Sequence, residues 1–183
     1  MTNYSIALFF HFVGLIALFV GYGLEWIVSA FLRGAATTDQ ARAWLRVYRT
    51  SLPVSGPGLL LLILSGGYLA QLSGAMKNGW LSASFIAIFF ALVIGFVLIL
   101  PRMKAIRSAL PEGSAALPAN AVALLRAPGL PTLIRVRAML ALGIVYLMTV
   151  KPDTLAASLL ALVAAVVLGL LASAHTFAKP KTA

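Results

Sequence analysis

The chain has 183 residues, of which 62% are hydrophobic and 10% charged, with a mean hydropathy of +1.02. Soluble domains are about 45–50% apolar and about 25% charged, and small ones leave much of their surface exposed, so a water-soluble fold is excluded and lipid is the solvent expected for most of the chain. Zero cysteines exclude disulfides, thiolate metal sites and thiol nucleophiles. The net charge of +10 lies beside and between apolar runs, not along one soluble face, which excludes nucleic acid as a partner and points to anionic lipid headgroups.

A helix needs about 20 mostly apolar residues to cross a bilayer. Five stretches qualify: 5–32, 53–74, 81–101, 132–150 and 154–177. The expected fold is all-α, a single bundle of five membrane-spanning helices. The first run carries no Lys or Arg ahead of it and is longer than a signal-peptide core, so it reads as a retained span. Within it His11, Gly14, Leu18, Gly21 and Glu25 keep alternating steps of 3 and 4 residues, which places them on one seam facing a partner helix.

The connection 33–52 contains Thr37-Thr38-Asp39-Gln40, a capping box opening ARAWLRVYRT. There Trp44, Leu45 and Tyr48 form an apolar stripe apart from Arg42, Arg46 and Arg49. The pattern is that of an amphipathic helix lying on the membrane surface, with a solvated helical loop as the alternative. The segment SLPVSGPG (51–58) reads as a helix start with a flexible lead-in.

AMKNGW joins spans two and three, and KPD joins four and five, where Pro152 stops one helix and Asp153 or Thr154 caps the next. The connection 102–131 mixes basic residues with Pro111, Pro118, Pro128 and Pro131 and reads as a broken loop with short helical turns. Small residues recur every fourth position as Gly66, Ala70 and Gly74, as Ala83, Ala87, Ala91 and Gly95, and as Ala157, Ala161, Ala165, Gly169 and Ser173. Such stripes let helix backbones approach in lipid.

Alternating five spans divides the cations twelve to two, with only Lys77 and Lys151 on the sparse side. The basic side is expected to be cytoplasmic, which puts the N-terminus outside and the C-terminus inside a bacterial inner membrane.

Ionisable groups at membrane depth are functional-site candidates. Helical rise brings Glu25 and His175 to one level, near Arg135, Arg137 and Arg46, so these five are expected to form a polar cluster at the cytoplasmic end. His11 lies roughly 20 Å from that level along the helix axis. It is a candidate ligand that reaches a second axial histidine for haem only across a symmetric dimer. No metal site or other cofactor is expected. No Walker loop, His-Glu-x-x-His, Gly-x-Ser-x-Gly or helically spaced carboxylate pair is present, so the sequence leans away from an enzyme.

FFHFVGLIALFVGYGLEW in the first span and the hairpin VRAMLALGIVYLMTVKPD resemble segments of small uncharacterised bacterial integral-membrane proteins, distantly similar to the copper-resistance D type of membrane domain. The resemblance implies a helical bundle in a bacterial inner membrane with His11 as a ligand. Three functional readings follow, in this order. The first is a non-catalytic membrane component, such as an accessory subunit of a membrane complex, a homo-oligomer or a lipid-interacting protein. The second is a small transporter or proton-coupled carrier using Glu25 and His175. The third is a haem- or quinone-binding redox protein using His11.

Overall fold

A computed structural model describes residues 3–111 and 116–174. His175, Lys179 and Lys181 lie outside the described residues. In chain order the helices are α1 (Asn3–Gly34), α2 (Thr38–Tyr48), α3 (Ser51–Leu72), α4 (Gly79–Val93), α5 (Leu100–Ser108), α6 (Ala119–Arg126), α7 (Gly129–Val150) and α8 (Leu155–Ala172). A π-helical stretch, Ile94–Ile99, fuses α4 to α5, and a 3₁₀ turn, Ala75–Lys77, lies between α3 and α4. Five helical stretches are long and apolar enough to cross a membrane: Asn3–Gly34, Thr38–Leu72, Gly79–Ser108, Ala119–Val150 and Leu155–Ala172. The protein is therefore an all-α, five-span membrane bundle.

Small residues set how the spans meet. A Cβ on Gly14 would lie 2.8 Å from the Gly58 carbonyl oxygen, and one on Gly21 would lie 2.5 Å from the Ser55 Cβ, so α1 and α3 touch backbone to backbone. The glycines of the 3–4 seam are thus the contact surface with α3. Gly169 of α8 packs in the same way on Val136 of α7, where a Cβ would come within 2.7 Å of the Val136 Cα. The α4 stripe Ala83, Ala87 and Ala91 is buried against Leu140 and Leu147 of α7 and Leu162 of α8. By contrast α3 and α4, although consecutive, meet only near the turn that joins them, around Ala70, Ala75, Trp80 and Leu81.

Both long connections carry helices. In the first, the Thr37 hydroxyl accepts from the Gln40 amide at 3.3 Å as expected of the box, while Gln40 accepts at 2.9 Å from the amide of Ala36, one residue before the N-cap. The apolar stripe of α2 faces protein instead of bilayer, however. Leu45 is buried, Trp44 stacks on Phe31 of α1 with ring centroids 4.2 Å apart, and Tyr48 packs on the same core. The lead-in at 51–58 belongs to α3 from Ser51 onward, with Pro57 inside the helix.

The second connection is more ordered than its prolines imply. Pro118 and Pro128 stand at the N-caps of α6 and α7, and Pro131 is in the first turn of α7, positions where a missing N–H costs little. Pro101 sits at the start of α5, directly after the π-helical stretch. The wider turn leaves room for the ring, so the helix continues to Ser108. Together α2, α5, α6 and the ends of α1 and α7 close one end of the bundle around Leu32, Ile99, Ile106, Leu125 and Ile134. This end also carries most of the arginines.

At the opposite end Thr154 is the residue that caps α8, its hydroxyl accepting from the Ala157 amide at 3.2 Å. Lys151 ends α7 in the left-handed region at φ 51°. Its ammonium lies 5.9 Å from the centre of the Trp80 ring.

Candidate functional site

Glu25 sits two-thirds of the way along α1, on the seam buried against its neighbours, and is 4% exposed. The Arg137 guanidinium of α7 donates to its Oε2 in an ion pair. The Ser51 hydroxyl, at the start of α3, lies 3.4 Å from Oε1 and also donates to the Tyr48 carbonyl at 2.7 Å. Three helices therefore converge on one carboxylate. An isolated charge at this depth is strongly unfavourable, and pairing with hydrogen bonding is what offsets its desolvation.

The position of Arg137 is shaped from two further sides. Its guanidinium lies 4.3 Å from the centre of the Tyr22 ring, a cation–π contact one turn away from Glu25 on α1. Gly95 faces it from the π-helical stretch, and a Cβ there would fall well inside contact distance of Nη1. The π turn and the missing side chain thus make the space that the guanidinium fills. The sequence stripe containing Gly95 was a packing signal, but its service to Arg137 was not readable from spacing.

The other expected members of the cluster are placed differently. Arg135 is buried with its guanidinium 5.4 Å from the ring centre of Trp26, the residue that follows Glu25 on α1. Arg46 is exposed on α2 and lines a separate cleft with Arg49, Lys104 and Arg107. His175 is outside the described residues.

His11 occupies the opposite half of the bundle, with Nδ1 3.2 Å from the Ser65 hydroxyl of α3. That hydroxyl also donates to the Leu61 carbonyl. Beside His11 lies a cavity of 230 Å³ bounded by Tyr4, Trp80, Ser84, Met148 and Lys151. No three His, Cys, Asp or Glu side chains converge among the described residues.

Cavities run the length of the α3–α4 gap. One of 330 Å³ is walled by Glu25, Arg137, Tyr22, Gly56, Gly95 and Phe96. A smaller one of 50 Å³ lies between it and the one beside His11, sharing Leu18, Leu59 and Ala91 with the first and His11 and Met148 with the second. Residues 5–152 match the family described as "Predicted integral membrane protein (DUF2269)".

The chain belongs to this family.

The match spans α1 to α7, including both halves of the Glu25–Arg137 pair, and stops short of α8. DUF2269 membership supports an integral-membrane protein, and its description carries nothing about copper resistance, catalysis or transport. No curated protein and no solved structure matches the chain.

Proposed function

We propose that this DUF2269 protein is a non-catalytic, lipid-interacting component of a bacterial inner membrane, with its N-terminus outside and its Arg-rich end cytoplasmic. One observation carries the non-catalytic part. Glu25, the carboxylate at membrane depth, is neutralised within the chain by Arg137 and Ser51, so it ties α1, α3 and α7 together in place of offering a free proton acceptor. The twelve-to-two division of cations supports the orientation.

The test reconstitutes purified protein into liposomes and imposes a pH gradient. The expected result is no dissipation of the gradient by wild type or by Glu25→Gln, together with easier unfolding of the variant. A proton flux that Glu25→Gln abolishes would overturn the reading. It would instead establish a carrier, a second reading favoured by the 330 Å³ cavity that Glu25 borders. Orientation is tested separately, because a chain with no cysteines accepts unique reporters. Asn78→Cys should react with an impermeant maleimide in whole cells and Ser108→Cys only after permeabilisation; the reverse pattern overturns the topology.

A further inference from the structure

We infer that the cleft between α2 and α5, together with the slot between α3 and α4, is a binding site for an anionic phospholipid. The phosphate lies among Arg46, Arg49, Lys104 and Arg107, and an acyl chain enters the slot. The cleft has a volume of 450 Å³ and apolar walls that include Leu45, Leu100 and Met103. No carboxylate lines it among the described residues.

The whole chain has four acidic residues. Glu25 is committed to Arg137, Asp153 lies at the far end of the bundle, Asp39 points to solvent from the first turn of α2, and Glu112 lies outside the described residues. The four cations make no hydrogen bond or ion pair with any described residue. Like charges gathered with no counter-ion among the described residues repel one another, and an external anion removes that cost. Arg42 differs from them, because it donates to the Leu110 and Pro111 carbonyls and fixes α2 to the end of α5.

The shape of the site selects the class of anion. Tyr48, Arg49 and Leu100 line both the cleft and the 330 Å³ cavity, so the basic site adjoins the gap that α3 and α4 leave between them. A charged mouth beside a slot whose walls are apolar apart from the mutually paired Glu25 and Arg137, with Ser55 and Arg49, matches an amphiphile with a phosphate at one end. Gly56 keeps the slot open, since a Cβ there would meet nothing within 4 Å. The inference rests on the lipid-interacting reading above, but the two fail on different measurements: proton flux overturns that one, and loss of headgroup selectivity overturns this one.

The experiment is native mass spectrometry of the full chain in neutral detergent, titrated with phosphatidylglycerol or with phosphatidylcholine of the same acyl chains. Each cation near an anionic headgroup is worth about fivefold in affinity. Phosphatidylglycerol should therefore bind at least about tenfold more tightly than phosphatidylcholine, with the preference abolished in the Arg46→Gln, Arg49→Gln, Lys104→Gln, Arg107→Gln variant. Gly56→Phe, whose Cβ would meet no protein atom within 4 Å, puts a ring at the slot and should weaken phosphatidylglycerol binding while leaving thermal unfolding unchanged. Equal binding of the two lipids by wild type would overturn the proposal. So would displacement of phosphatidylglycerol by millimolar inorganic phosphate with no effect of Gly56→Phe, which would mark a site for free phosphate.

Discussion

Gly95 and Arg137 are complementary: the guanidinium occupies the volume that any side chain at position 95 would take. The ion pair with Glu25 holds Arg137 there, so the guanidinium yields only by leaving its partner. Gly95→Leu is expected to destabilise the bundle by about 1–3 kcal/mol, the usual cost of overfilling a packed site. Thermal unfolding in detergent measures this. If the substitution acts through the pair, its cost is less than additive with that of Glu25→Gln.

The pair itself predicts an asymmetry. Glu25→Leu leaves a buried guanidinium without its counter-charge, and Arg137→Met leaves a buried carboxylate. Each is expected to cost about 3–5 kcal/mol, whereas Glu25→Leu combined with Arg137→Met, which removes both charges, is close to neutral. A double-mutant cycle on unfolding midpoints decides the matter. Equal and additive losses would mean that the charges contribute independently.

The α1–α3 contact has no room for side chains at its centre. Gly21→Leu would drive a side chain into Ser55 and the Ser51 carbonyl, with the first atom already 2.5 Å from the Ser55 Cβ. The expected loss is about 1–3 kcal/mol, read as a lower unfolding midpoint. Gly23→Leu, on the same helix but with open space around its Cβ, is the control and should leave the midpoint unchanged.

Helix α2 is held by its aromatic stripe. Trp44→Ala removes the stack on Phe31 and part of the core at the Arg-rich end. Such a stack contributes about 0.5–1.5 kcal/mol beyond the area it buries. Amide hydrogen exchange should accelerate over Thr38–Tyr48 and stay slow in α1 and α3. Uniform acceleration would show instead that α2 is integral to the whole bundle.

Much of the architecture was legible because lipid imposes a simple demand, a long apolar run for each crossing. Glycine steps on α1 announced a tight interface for the same reason, since close packing in lipid requires small residues. What spacing left open was rotation. Arg135 and Arg137 are two residues apart and point to different sides of α7, and only the angle at which α7 meets α1 decides that Arg137 faces Glu25 while Arg135 lies over Trp26. The stripe of α2 was visible, but an amphipathic helix reads alike whether its apolar face meets lipid or protein. The second connection was misread because proline breaks helices in their interior yet suits their first turn. Pro118, Pro128 and Pro131 all begin helices.

The π-helical stretch has a consequence for how the third span can change in length. Buried Ala83, Ala87 and Ala91 are followed by buried Ile99, Met103 and Ile106. In an unbroken α-helix, each residue advances the face by about 100°, so the second group would be swung away from the first. The wide turn absorbs a supernumerary residue and keeps both groups in phase. Loss of a single residue within Ile94–Ile99 would therefore straighten the span without rotating its far half, whereas the same loss from Gly79–Val93 would turn that half out of the core. The stretch thus acts as a tolerance joint, and the niche for Arg137 would close with it.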